Sequence, residues 1–263
     1  PVPVTAVQCA DYHDEIVFRC SLCWRRKSAR TGTFFARSRL RRIMIIVANW
    51  IIKAPVTLVA AFADVTETPA VQWYEYCRDI CALKMTRLHE SFGGVGSIVE
   101  IDETVVRERK YNRGRSIKED WLSSTSVLGI YDRSTQKGHF QRVTNRQAST
   151  IIPVIKEYVQ PGTTLYTDDW RAYICLHRLE YVHHVVVHKR HFVDPTTGVH
   201  TNNIEAMWSR LKEFLRPYHD SRGRLLWSHM NEFLYRMHYD FRTSEPLSNV
   251  NKFLNHVKEE YPL

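Results

Sequence analysis

No stretch of this chain is apolar for long enough to cross a bilayer. The most apolar window, Ile43–Ala63, is broken by Asn49, Lys53 and Pro55, whereas a spanning helix needs roughly 20 consecutive apolar residues. The window reads as core helices, and no membrane is expected as a partner. Pro1–Ala10 lacks a basic start followed by an apolar core, so no secretory leader is expected there. The six cysteines, Cys9, Cys20, Cys23, Cys77, Cys81 and Cys175, do not have the spacing of a secreted disulfide framework, which points to a reducing compartment. Low-complexity tracts are missing too. With 44% hydrophobic and 25% charged residues over 263 positions, the chain has a folded protein's composition and can bury one large core and a smaller domain.

Acidic charge is scarce. Thirty-seven Lys and Arg stand against 28 Asp and Glu, a net charge of +9, with 13 histidines in reserve. That balance suits a polyanion, nucleic acid first, although a merely soluble basic protein has it too. The excess is concentrated in Arg25–Arg42: eight basic residues (Arg25, Arg26, Lys27, Arg30, Arg37, Arg39, Arg41, Arg42), no acidic one, and Phe34-Phe35 in the middle. Helical spacing follows at Leu40–Ala54, a short helix at Val56–Ala63, a turn at Asp64–Pro69 and a longer helix over Val71–His89. Three short helices beside a basic strip predict a helix-turn-helix-like DNA-binding region over residues 25–92, with Arg25, Arg26 and Lys27 on phosphates. A plain helical cap is the rival reading. The same run would serve as a nuclear localisation signal, placing the protein in the nucleus of a eukaryote and otherwise in the cytoplasm. Cys77 and Cys81, one helical turn apart, read as small buried apolar residues.

Residues 1–24 contain Cys20-x-x-Cys23, one knuckle of a zinc ribbon. A closed Zn²⁺ site needs four ligands, and Cys9 and His13 are the nearby candidates to complete it. A zinc site made from these four and a degenerate or truncated ribbon without zinc both stay open.

From Ser97 the pattern changes to strands: Ser97–Val105, Leu122–Asp132 and His139–Val143 joined by turns, with a basic loop at Arg107–Lys118. Ala148–Val159 is an apolar-faced helix stopped by Pro161-Gly162, Thr163–Thr167 a strand, Trp170–Leu179 a helix and Tyr181–Val187 a strand. Thr201–Arg216 and Leu225–Phe241 are amphipathic helices. The order β-β-β-α-β-α-β-α over residues 93–263 predicts an α/β fold, a ribonuclease H-like mixed five-stranded sheet flanked by helices. That topology sets the ends of the first and fourth strands side by side.

Both of those strands end in carboxylate. Asp102 follows the apolar run Ile98-Val99-Glu100-Ile101, and Asp168 follows Leu165-Tyr166-Thr167, while Glu205 sits in the first turn of a helix. An ionised carboxylate there is costly unless a cation meets it. Each has a bland explanation. Asp102 would pair with an arginine of the following loop, Asp168 would cap the next helix, and Glu205 would form a capping box with Asn202. Jointly, three acids at the expected points of one topology favour divalent metal. Glu103 and Asp169 read as structural neighbours facing elsewhere, and Trp170 and Trp208 as core residues. Lys212, two turns past Glu205 on the same helix face, reads as a phosphate contact. So do Arg107, Arg109, Lys110, Arg113 and Arg115 in the basic loop.

The chain resembles the DDE-type transposases of the Merlin superfamily and their bacterial insertion-sequence relatives, the ISXO2-like transposases. The matching segments are Val99–Thr104, Pro161-Gly162 with Tyr166–Tyr173, and His200–Lys212; upstream they are Thr31-Gly32-Thr33 and Trp73–Cys81. The resemblance spans roughly Phe18 to Arg242. It implies Asp102, Asp168 and Glu205 as a catalytic, metal-binding triad with two Mg²⁺ (or Mn²⁺) ions, a partner of double-stranded DNA at element ends and target, and a homo-oligomer that pairs two ends. It also implies that the segment holding His188 lies beside the site, where His188 would touch phosphate. Two hard cations about 3.5–4 Å apart can activate the attacking oxygen and stabilise the leaving one in an in-line displacement at phosphorus. A folded, catalytically inactive DNA-binding descendant of such an element is the alternative. A ribonuclease H acting on hybrids would not explain the basic N-terminal region.

Overall fold

The computed structural model describes residues 4–9, 16–28, 30–36, 39–88, 90–107, 125–187, 198–218, 221 and 223–261. The chain forms two compact units, Pro1–Met85 with Tyr239–Leu263, and Thr86–His238. No helix among the described residues is long and apolar enough to cross a membrane.

The first unit begins with a small antiparallel sheet of β1 (Val4–Gln8), β2 (Ile16–Cys20) and β3 (Arg26–Ser28), ordered β1-β2-β3. Helices α1 (Leu40–Ile51), α2 (Val56–Phe62) and α3 (Glu67–Arg87) follow the sequence periodicity, with α3 starting at Glu67, inside the turn expected at Asp64–Pro69. Ile43, Ile46, Val47 and Trp50 of α1 recur at three and four residues and are buried. The C-terminal helix α7 (Pro246–Glu260) belongs to this unit, with Phe253 packed on Trp50 at 4.9 Å between ring centroids. Cys77 and Cys81 are buried within the hydrophobic core, as read from their spacing.

In the second unit, β5 (Ile98–Arg107), β6 (Thr125–Asp132) and β7 (Lys137–Arg142) form an antiparallel meander. Parallel strands β9 (Thr164–Asp168) and β10 (Val182–Val186) extend it on the β5 side. The strand order β10-β9-β5-β6-β7 is the predicted ribonuclease H-like mixed sheet. Helix α4 (Ala148–Tyr158) is followed by β9 and, within the helix expected over Trp170–Leu179, a 3-10 helix at Arg171–Arg178; α5 (Asn202–Leu215) and α6 (Gly223–His238) come after β10. A short parallel pair, β4 (Phe92–Gly93) with β8 (Val159–Gln160), braces the start of β5. Alternation divides the central strands. Val99, Ile101, Leu128, Ile130 and Leu165 point into one apolar core with Ile151 and Ile155 of α4 and Tyr173 and Leu176. Glu100, Asp102 and Gly129 lie on the opposite face, under α5. There Gly129 is needed for close approach: a Cβ at this position would lie 2.3 Å from the Trp208 ring. Trp208 also stacks on Phe140, ring centroids 5.0 Å apart.

Candidate active site

The β5–β9 ladder pairs Ile98 with Thr164 and ends at Glu100 with Tyr166. The same register carried two residues on brings Asp102 level with Asp168, on one face of the sheet. One ligand oxygen from each of Asp102, Glu103 and Asp168 lies within 4.8 Å of the other two. At an effective dielectric of about 20, two full charges that far apart repel by roughly 3 kcal/mol. The protonation of Asp102 reflects this. Burial, then the charges of Asp168 and Glu103, push its carboxyl from 3.8 to about 6. The Trp208 indole donates to Asp102 Oδ2 at 3.0 Å and pulls in the opposite direction, as does the Glu103 backbone.

Glu103 is a correction to the sequence reading, which turned it away from the site. Its side chain is 3% exposed, Oε2 accepts from Arg146 Nη2 at 2.8 Å, and Oε1 is buried with no hydrogen-bond partner among the described residues. The phenol of Tyr173, equally buried, interacts with it. Burial first, and then the Glu103 charge, raise that phenol well above its usual value. Arg146 also reaches Asp168 Oδ2 at 3.7 Å and lies over the Trp170 ring at 4.4 Å. Trp170 is a second correction: it is 42% exposed and not part of the core, its indole donating to the Arg146 carbonyl at 2.9 Å. Trp208 is buried as expected. Asp168 Oδ1 does accept the Trp170 N–H at 3.0 Å. Its turn-forming role therefore coexists with its place in the cluster.

Glu205 is not in the 4.8 Å group. It sits in the first turn of α5, one turn before Trp208, with the Thr201 hydroxyl 3.4 Å from its Oε1. What fixes that turn is a carboxylate that sequence reasoning passed over. Glu100, wholly buried, accepts from Arg133 Nε and Asn203 Nδ2, each at 2.6 Å, and from the Ile204 backbone N–H at 2.8 Å. Arg133 Nη2 in turn donates to the His200 carbonyl at 2.8 Å. The helix N-terminus, with its unpaired N–H groups and positive dipole end, is a natural seat for an anion. Glu100 thereby joins β5 to α5 two residues before Asp102. The only sequence signal was a carboxylate in the middle of an apolar strand.

The other predicted contacts fall in different places. Lys212 is exposed on α5, and Arg25, Arg26 and Lys27 are exposed around the start of β3. Arg107 closes β5. Arg109, Lys110, Arg113, Arg115 and His188 lie outside the described residues. His183 on β10 sits 2.9 Å from the Thr167 hydroxyl, and burial, with His184 and His177 nearby, lowers it to about 4, so it is neutral at physiological pH. Cys20 and Cys23 shape a knuckle-like turn: the Cys23 N–H lies 3.5 Å from Cys20 Sγ, and backbone N–H groups lower that thiol. Cys9 cannot join them. The hairpin pairs Val4 with Cys20 and Gln8 with Ile16, so Cys9 lies roughly 16 Å along the strand from Cys20. It meets Arg26 Nη1 instead, at 3.3 Å.

All the donors gathered around Asp102 are oxygens, the set that hard divalent cations prefer. One Glu103 oxygen is buried with no hydrogen-bond partner among the described residues, and the neighbouring Asp102 carboxyl is raised by burial and then by like charge. These residues fit a hard divalent cation.

Comparison with known proteins bears on the same region. The family described as "ISXO2-like transposase domain" matches residues 94–238, more than half of the chain. An "Uncharacterized transposase-like protein" of Haemophilus influenzae is 28% identical over 116 residues, 44% of this chain and 89% of that protein. Among solved structures, the HTLV-2 integrase catalytic core domain in complex with magnesium is similar at 14% identity and a TM-score of 0.35, over 55% of this chain and 86% of that one. A simian T-cell lymphotropic virus intasome in complex with the PP2A regulatory subunit B56 gamma is similar at 15% identity and a TM-score of 0.35, over 73% and 67% of the two chains.

Proposed function

Because the chain belongs to the ISXO2-like transposase domain family, we propose that it cuts transposable-element ends and joins them to target DNA, with Asp102 and Asp168 at the reacting phosphate. The observation that carries this reading is the meeting of Asp102, Glu103 and Asp168 within 4.8 Å, at one end of the central parallel pair. Asp102 and Asp168 would hold Mg²⁺ or Mn²⁺, with Glu205 or Glu103 as the third carboxylate. Such ions supply activation of the attacking oxygen and stabilisation of the leaving one.

The chain's own groups do the rest. Trp208 orients the Asp102 carboxylate through its indole N–H, and Glu100 holds the helix that carries both Trp208 and Glu205. Lys212 and the basic residues Arg107, Arg109, Lys110, Arg113 and Arg115 would bind the DNA backbone near the cut, and Arg25, Arg26 and Lys27 the element end. We assign residues 25–92 as the DNA-binding region, place the chain in the Merlin superfamily, and expect a homo-oligomer that pairs two ends. In a eukaryotic host its place of action would be the nucleus.

The test is cleavage and strand transfer by the full chain on a duplex carrying the element's own terminal sequence, with Mg²⁺ or Mn²⁺. Asp102→Asn and Asp168→Asn are each expected to lower the rate by about a thousandfold, several kcal/mol at 1.4 kcal/mol per tenfold. Comparing Glu205→Gln with Glu103→Gln identifies the third ligand. An unmodified chain that binds the duplex and never cuts it would establish the DNA-binding descendant instead.

A further inference from the structure

We infer that the Arg146 guanidinium is a built-in counter-cation of the carboxylate cluster, competing with divalent metal for Asp168. This inference rests on the metal-holding reading above. Arg146 precedes α4 in a turn that Asn145 fixes by accepting the Gln147 N–H at 2.9 Å and the Thr150 hydroxyl at 2.8 Å. Its carbonyl is held by the Trp170 indole and its guanidinium lies over that ring. From this anchored backbone the side chain reaches two acids unequally, Glu103 at 2.8 Å and Asp168 at 3.7 Å.

The inequality matters. The short contact, to the nearly buried Glu103, is a charge-assisted hydrogen bond; the long one is electrostatic and released at little cost. Both contacts are made by Nη2, so the guanidinium, its side chain 41% exposed, draws away from Asp168 by pivoting about its bond to Glu103. One positive charge does not balance three carboxylates. Ligand oxygens of Asp102, Glu103 and Asp168 all gather within 4.8 Å of one another around that single charge. The cluster is therefore kept tolerable but under-neutralised, a state that a divalent ion relieves. Once it leaves Asp168, the guanidinium would stand at the rim beside exposed Trp170, positioned for a backbone phosphate.

The experiment is a Mn²⁺ titration of the full chain followed by its thermal unfolding midpoint, for the wild type, Arg146→Ala and Arg146→Lys, with far-UV circular dichroism as the check on folding. Removing a partly exposed competing ion pair is expected to lower the half-saturating Mn²⁺ concentration on the order of fivefold in R146A. A smaller decrease is expected in R146K, which keeps the charge and loses the planar fork. In a D168N background the R146A effect should vanish. Equal half-saturation in wild type, R146A and R146K, or weaker binding in the variants, overturns the competition. If R146A does not fold, R146K alone decides, unchanged affinity overturning the inference. If Mn²⁺ shifts neither wild type nor variants, the metal site falls and this inference with it; if it shifts all of them equally, only the role of Arg146 falls.

Discussion

Replacing Glu100 tests the mechanical link between the sheet and the helix above the cluster. Its carboxylate is wholly buried and accepts from Arg133, Asn203 and the Ile204 N–H at 2.6, 2.6 and 2.8 Å. Glu100→Ala removes all three acceptor contacts and leaves a helix-terminal N–H and an amide under an apolar methyl. Removing one partner of a buried charge pair costs about 3–5 kcal/mol, which is a large part of the 5–15 kcal/mol typical of a domain. Glu100→Gln keeps the shape and one acceptor oxygen, and should cost about half as much. Urea unfolding of the full chain measures both, and a double-mutant cycle with Arg133→Ala reads the coupling, expected at about 1–3 kcal/mol. The functional signature is separate. With α5 loosened at its first turn, Trp208 loses its grip on Asp102, so Mn²⁺ affinity falls even in the folded E100Q protein. A cost below about 1 kcal/mol for E100A, or unchanged Mn²⁺ binding in E100Q, would refute the argument.

Three further outcomes follow from the same geometry. Asp102 is raised from 3.8 to about 6 in the fold, so without metal its contribution to stability is intact below about pH 4 and is lost as pH rises through 6. Metal needs the ionised form, so Mn²⁺ should bind about tenfold more tightly at pH 7 than at pH 5, and a pH-independent affinity would contradict this. Trp208→Phe keeps the stack on Phe140 and deletes the indole donor, so the Asp102 carboxyl should titrate higher still, as read by NMR of the carboxyl carbon; a lower value would be wrong in sign. Gly129→Ala puts a methyl 2.3 Å from the Trp208 ring, an overpacking that should cost about 1–3 kcal/mol in urea unfolding and weaken Mn²⁺ binding through the displaced helix.

Much of the second unit was legible because its signals are local and periodic. The apolar run Ile98-Val99-Glu100-Ile101 marked β5, and the order of strands and helices restricted the sheet to one arrangement. Asp102 and Asp168 then became neighbours through register alone. Glu103 was misread because alternation sends it to the opposite face. A long side chain in the middle of a strand can still bring its carboxylate round to the cluster, and no spacing rule records that. Arg146 had no signal at all: a single arginine between a strand and a helix looks like any loop cation until Glu103, Asp168 and Trp170 surround it. Glu100 was visible only as a polar interruption, since its partners come from Arg133 and from the residues around Asn203, far along the chain. The β1–β3 sheet escaped notice because its strands are short and mostly exposed. Helix α7 escaped because only Phe253 and Val257 of its apolar residues are buried, while Leu247 is exposed and Val250 and Leu254 are half-buried.

The central claim is that these carboxylates exist to hold a divalent cation, and the most direct measurement is anomalous diffraction from crystals soaked in MnCl₂. The account predicts a peak about 2.1 Å from oxygens of both Asp102 and Asp168, with the Arg146 guanidinium withdrawn from Asp168. No peak at the cluster, with Arg146 still on Asp168 at saturating Mn²⁺, would contradict it.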